Sequence, residues 1–229
     1  MRIDDNLKQI YQRIFAAAQN SGRHPEQIKL LAVSKMMPAE AVKEAYEAGQ
    51  RVFAENRVQE WMEKHPLLPH DCEWHLIGRL QTNKVKYLNN QIALIHSLDR
   101  LSLLTALEEQ GAKRNIIWPV LIQVNTARDP NKAGLMPQEV EDFLDAVADC
   151  QHIRVHGLMT IGALEATSEE TRMFFRELRQ IRDLLQTKEI PQVKLTELSM
   201  GMSRDFELAI AEGATMVRIG RRIFGERHY

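Results

Sequence analysis

The chain has 229 residues, 44% of them apolar and 27% charged, which supplies a large core and suits one barrel domain over residues 1–229. A formal net charge of −1 gives no electrostatic footprint for nucleic acid or an anionic membrane. Two distant cysteines, Cys72 and Cys150, acids at positions 4 and 5 where a signal peptide needs an apolar run, and no stretch near the ~18 apolar residues of a membrane span predict a soluble, cytoplasmic protein.

Ile3, Leu7, Ile10, Ile14 and Ala17 recur at three- and four-residue steps, so the chain opens with an amphipathic helix, with Asp4 or Asp5 able to cap it and Gly22 just past its end. After Pro25 the pattern changes to a continuous apolar run over 28–33, the mark of a strand covered on both faces. Pro38 suits the first turn of a helix with Ala41, Val42, Ala45 and Tyr46 on its apolar face, and Gly49 suits the left-handed position that closes it.

The unit then repeats. Further strands are predicted over 51–55, 74–78, 92–96, 116–124, where Pro119 weakens the pattern, 153–159, 195–198 and 215–219. Between them run helices striped in turn by Val58, Trp61 and Met62, by Leu80, Val85 and Leu88, and by Leu103, Leu104 and Leu107, the last capped by Asp99 and ending at Gly111. Val140, Phe143, Leu144 and Val147 stripe a helix that begins at Pro137; Phe174, Leu178, Ile181 and Leu185 stripe a long one, and Phe206, Leu208 and Ile210 one that ends at Gly213. Eight strands alternating with helices predict the α/β class and a closed (β/α)8 TIM barrel with an extra amino-terminal helix. An open doubly wound sheet usually carries a Gly-rich dinucleotide loop after its first strand, and Ser34-Lys35-Met36-Met37-Pro38 is not one.

In such a barrel the loops at the carboxyl ends of the strands form the functional mouth. Lys35, Asn56, Arg79, Asn125, Thr160, the run 199–203 and Gly220 all fall there. Lys35 has two readings: a solvated strand-end residue, or an amine whose pKa burial lowers, freeing it as a nucleophile. The turn at 199–203, with Ser203 as a helix cap, and the turn at Gly220 read either as tight glycine turns or as backbone N–H cradles for phosphate. A lysine amine, a phosphate cradle and a strand-end arginine together meet the needs of pyridoxal phosphate: an amine for its aldehyde, neutral donors for its phosphate and a partner for its ring nitrogen.

The motifs Leu31-Ala32-Val33-Ser34-Lys35, Ala54-Glu55-Asn56-Arg57-Val58-Gln59-Glu60, Trp74-His75-Leu76-Ile77-Gly78-Arg79-Leu80-Gln81-Thr82-Asn83-Lys84, His156-Gly157-Leu158-Met159-Thr160, Leu198-Ser199-Met200-Gly201-Met202-Ser203 and Val217-Arg218-Ile219-Gly220 follow one another in order. This set resembles that of the YggS/PROSC pyridoxal phosphate homeostasis proteins over nearly the whole chain. The resemblance implies that pyridoxal 5'-phosphate is held as a Schiff base, the internal aldimine, on Lys35. Backbone at Ser199, Met200 and Gly201, with Ile219, Gly220 and Arg221, would take the phosphate. Arg218 would face the ring nitrogen, a partner that does not readily hand over a proton and so makes the ring a weak electron sink. Asn56 and Met159 would line the ring, and Lys132 resembles a second handling site for the cofactor. Members often carry a small hydroxyl residue where this chain has Arg221, which leaves backbone N–H alone at that position.

The function so implied is a carrier that buffers or delivers pyridoxal phosphate, with pyridoxal phosphate-dependent apo-enzymes as recipients and the monomer as the working form. An amino-acid racemase-like enzyme is the alternative. Alanine racemases, whose amino-terminal barrel the family resembles, add a second β-domain and a tyrosine offered across a dimer, and this chain ends at Tyr229 soon after the eighth strand. A phosphate-sugar isomerase-like barrel without pyridoxal phosphate is a third reading. His65, His70, Cys72 and His75 match no common zinc spacing, so no metal is expected. His152 and His156 read as structural, and Arg218, Arg221, Arg222 and Arg227 as a solvated or phosphate-facing cluster.

Overall fold

Each strand must bury two faces, and the two-residue alternation of its side chains divides the apolar residues between two compartments. In the computed structural model, which describes residues 2–163 and 165–225, the strands are β1 (Lys29–Val33), β2 (Val52–Glu55), β3 (Glu73–Leu76), β4 (Ile92–Leu98), β5 (Trp118–Gln123), β6 (Ile153–Met159), β7 (Val193–Met202) and β8 (Met216–Ile219). They pair in chain order, all parallel, and β1 also pairs with β8, which closes the predicted α/β TIM barrel. One strand face supplies an interior cluster of Leu31, Val33, Ala54, Leu94, Leu121, Met159 and Met216. The other face, including Leu30, Ala32, Phe53, Ile95 and Leu158, packs beneath the helices.

The helices are α1 (Ile3–Asn20), α2 (Ala39–Glu47), α3 (Val58–Lys64), α4 (Leu101–Arg114), α5 (Val140–Ala148), α6 (Ser168–Leu185), α7 (Phe206–Ala211) and the short α8 (Arg221–Phe224). The extra helix α1 buries the predicted stripe and packs against α2, α7 and α8, with Asn6 Nδ2 donating to the Ile223 carbonyl at 2.8 Å. Gly49 closes α2 at φ 101°, in the left-handed region as expected. Among the described residues no helix is long and apolar enough to cross a membrane.

Several local expectations change. Arg2 is the N-cap of α1, so Asp4 and Asp5 sit inside the first turn, where a negative charge favours the helix dipole without capping it. Asp99 does not cap α4 either: it accepts from Arg100 Nη1 at 2.5 Å and lies 3.7 Å from Arg79 Nε. That helix runs past Gly111 to Arg114, because Asn115 takes the left-handed conformation at φ 53° and ends it there. The third crossover is a 3-10 helix, Thr82–Tyr87, since six residues are enough to bury Val85 in the short connection. In α6 the buried row is Thr171, Phe175, Leu178 and Leu185, with Phe174 only partly covered. Strand β7 continues through Ser199 to Met202, where a turn was expected.

Candidate functional site

Lys35 lies in the turn immediately after β1, and a buried ionic cluster grips the residues on either side of it. Ser34, fully buried, donates its hydroxyl to Glu55 Oε1 at 2.7 Å. Lys64 reaches from the last residue of α3 to the same oxygen at 2.7 Å and to the Ser34 carbonyl at 2.8 Å. Beyond Lys35, the Met36 N–H donates to Glu60 Oε2 at 2.6 Å, and Met36 holds a left-handed φ of 62°, which costs a non-glycine residue energy. Lys64 also lies 3.4 Å from that Glu60 oxygen. Burial pushes the Glu55 carboxyl up to about 7, Lys64 and Ser34 offsetting only part of the desolvation. Its second oxygen, Oε2, is buried without a hydrogen-bond partner.

Arg218 belongs to the barrel interior. In register it stands opposite Leu31 of β1, two residues below the Val33 that ends the strand, and only 4% of it is exposed. Its guanidinium donates from Nη1 to Ser199 Oγ at 2.7 Å and from Nη2 to the Thr160 carbonyl at 2.8 Å. Burial lowers its pKa to about 10, with the charge of Asp205 acting the other way. Ser199 is fully buried, and its hydroxyl also meets His96 Nδ1 at 2.9 Å. Met159 packs in the interior cluster at the end of β6.

The two glycine-marked segments meet β1 and α7 through backbone. At Gly201 φ is +91°, and a Cβ there would stand 2.5 Å from that of Ala209, so the position needs glycine for both reasons. The β7–β8 pairing gains an extra residue between Ser199 and Met202, a bulge that turns this stretch of backbone at the mouth. Met200 faces the helices and is buried with them. Asp205, not Ser203, is the N-cap of α7, and its carboxylate takes the Met202 N–H at 2.6 Å. Ile219 is buried at the end of β8 and Gly220 is the N-cap of α8, which places Arg221 and Arg222 in a first turn whose N–H groups have no intrahelical acceptor. A Cβ on Gly220 would lie 2.9 Å from the Val33 carbonyl, so this backbone passes directly over the end of β1. Lys35, Arg218, Ser199, Gly201 and Gly220 are thus drawn to adjoining strand ends.

Asn56 follows β2 and lines a neighbouring cavity of about 1010 Å³, whose wall also carries Arg57, Arg79, Lys84 and Arg100. Lys132 lies in the β5–α5 connection, donating to the Gly162 carbonyl at 3.1 Å with Asp129 at 3.6 Å, on the far side of the barrel ring from β1. The histidine group near residue 70 is dispersed: His65 stacks on Trp61 at 4.2 Å, Cys72 is a buried free thiol and His75 points into the barrel. His152 bonds Glu108 at 2.9 Å. Arg227 lies outside the described residues.

Two groups escaped the sequence reading. Lys64 falls three residues after Trp61 on the apolar face of α3, where a charge signals a buried partner. His96 stands two residues after the inward Leu94, and strand alternation alone points it into the barrel.

Residues 6–228 match the sequence profile described as alanine racemase, N-terminal domain. A pyridoxal phosphate homeostasis protein of Aquifex aeolicus (strain VF5) is 45% identical, with 100% of each chain covered. The structure of PipY of Synechococcus elongatus with PLP bound is 38% identical, superposes with a TM-score of 0.84 and is covered for 100% of its length by 98% of this chain. Alanine racemase from Corynebacterium glutamicum shares the fold at a TM-score of 0.70 and 18% identity, with 96% of this chain covering 62% of the racemase.

Proposed function

The chain belongs to the alanine racemase N-terminal domain family, and within it to the pyridoxal phosphate homeostasis proteins, and from that premise we propose that it is a single-domain carrier of pyridoxal 5'-phosphate. The carrier holds the cofactor on Lys35 as a Schiff base, buffers it and releases it to apo-enzymes. The observation that carries this reading is Arg218: a buried guanidinium held by two neutral partners, opposite β1 in register and just below the turn of Lys35. The PLP-bound PipY structure supports it.

The residues fit the cofactor's three chemical handles. Lys35 offers an amine on a turn whose two flanks are tied down by Glu55, Lys64 and Glu60. Backbone at Ser199, Met200, Gly201, Ile219, Gly220 and Arg221 offers neutral N–H donors for phosphate at the strand ends beside it. Arg218 offers its guanidinium edge to the ring nitrogen, with Asn56 and Met159 beside the ring. When bound, the cofactor supplies an electrophilic aldehyde and a conjugated ring that withdraws electrons. Arg218 does not protonate that ring, so this chain's residues favour retention over turnover. Lys132 is a second, weaker handling position.

The test is a visible spectrum of the protein incubated with pyridoxal phosphate, followed by borohydride reduction and peptide mass mapping. The expected result is a Schiff-base band and a reduced adduct on Lys35; a colourless protein, or an adduct confined to Lys132, overturns the assignment. Assay of α-proton exchange in D2O over a panel of amino acids separates the carrier from a racemase-like enzyme. Turnover at ordinary enzyme rates would sink the carrier reading.

A further inference from the structure

A line of hydrogen bonds crosses the barrel interior, and its two ends dictate its direction. Glu73, the first residue of β3, lies at the amino-terminal end of the strands, where its carboxylate also meets Lys29 Nζ at 2.7 Å. From Glu73 Oε1 the line runs 2.7 Å to His75 Nε2, then 2.8 Å from His75 Nδ1 to His96 Nε2. It continues 2.9 Å from His96 Nδ1 to Ser199 Oγ and 2.7 Å from Ser199 Oγ to Arg218 Nη1 at the mouth.

A carboxylate only accepts hydrogen bonds and a guanidinium only donates them. His75 therefore carries its proton on Nε2, facing Glu73, and as a neutral ring accepts at Nδ1. His96 must then donate from Nε2 and accept at Nδ1, which obliges the Ser199 hydroxyl to donate to it. The remaining lone pair of Ser199 takes the Arg218 N–H. Every link has one donor and one acceptor, and both imidazoles stay neutral. Burial lowers the pKa of both histidines, and His96, fully buried and near Arg218, falls well below the ordinary value. The hydrogen bond from His75 leads the causes that hold Glu73 down at about 2, so this end remains an anion.

We propose that Glu73, His75, His96 and Ser199 form a one-directional relay that positions Arg218 and ties the guanidinium at the barrel mouth to a carboxylate at the opposite end. The four are positioning residues, since they act through Arg218. The other charges facing the relay are Lys29 on β1 and Glu197 on β7, toward His75, and Asp205 before α7, toward Arg218. The effect on bound pyridoxal phosphate rests on the function proposed above; the tautomers do not.

The experiment therefore has two arms. In 15N-histidine-labelled protein without cofactor at pH 7, long-range proton–nitrogen correlation should show His75 and His96 neutral, with the proton on Nε2. An Nδ1–H tautomer or an imidazolium at either residue overturns the relay. In the second arm Glu73→Gln, which keeps the shape but gives that end a donor as well as an acceptor, is compared with Lys29→Met, which leaves the carboxylate. With pyridoxal phosphate bound, Glu73→Gln should lower the pH midpoint of the visible band and weaken retention several-fold, while Lys29→Met changes both much less. An unmoved midpoint in a folded Glu73→Gln protein refutes the tie to the mouth. If the unmodified protein shows no visible band, the carrier reading fails and the histidine tautomers still decide the relay.

Discussion

Two buried ionisable centres flank the turn of Lys35, and they are satisfied in opposite ways. Beneath α3, Lys64 meets Glu55 at 2.7 Å and lies 3.4 Å from Glu60, and Ser34 completes a compact cluster between the barrel wall and the helix. Inside the barrel, Arg218 has no carboxylate within ion-pair distance among the described residues; its partners are the hydroxyl of Ser199 and the carbonyl of Thr160. The first centre therefore sets one cation between two carboxyl groups, the pKa of Glu55 raised to about 7, and acts on backbone, pinning the carbonyl before Lys35 and the N–H after it. The second is a cation whose direct partners are dipoles, with the charge of Asp205 acting from beyond ion-pair distance. One region shapes the site and the other charges it.

Removing one member from each centre tests that contrast. Lys64→Met takes the cation from the Glu55 carboxyl and frees the Ser34 carbonyl, and should cost about 3–5 kcal/mol in urea unfolding at pH 9, where Glu55 of the parent protein is ionised. Part of that loss should return at pH 5, where Glu55 is protonated. A cost below 1 kcal/mol would mean the cluster is not the anchor of the turn.

The pH dependence of the intact protein is the next largest effect. Glu55 has a folded pKa of about 7 against an ordinary 4.5, so the folded state holds a proton that the unfolded state releases in this window. Its contribution is full below about 4.5 and is lost as pH rises through about 7, amounting to about 3 kcal/mol. Urea unfolding of Glu55→Gln should lack this slope; if the slope persists unchanged, another group owns it.

Arg218→Met should cost least, about 1 kcal/mol, because the lost hydrogen bonds are offset by relief of a buried charge. The same variant should lose the visible band of bound pyridoxal phosphate. A stability loss as large as that of Lys64→Met would erase the distinction between the two centres.

Much of the fold was legible because its signals are local. Apolar periodicity, Gly49 at φ 101° and the strand of Lys35 each depend on a few neighbouring residues. The misplaced features were those that a competing partner decides: Asp99 turned to Arg79 and Arg100 instead of capping α4, and Ser199 remained in β7 because Met159 and Met216 pair with it. At the site, Lys35, Arg218 and the two glycine segments could be nominated by type and position. Their surroundings could not: Lys64 and His96 carried only a weak sign, a polar residue on a face that should be buried.

Eight βα repeats, a closed barrel and the residues at its strand ends could all be read along the chain, because each unit encodes its own strand and crossover. Which groups satisfy one another across the interior follows instead from closure of the barrel. His96 and Ser199 are 103 residues apart and meet at 2.9 Å because closure of the barrel brings β4 and β7 to face each other across a space a few side chains wide. In that space every buried donor needs an acceptor, and the direction of the whole line follows from Glu73 at one end and Arg218 at the other.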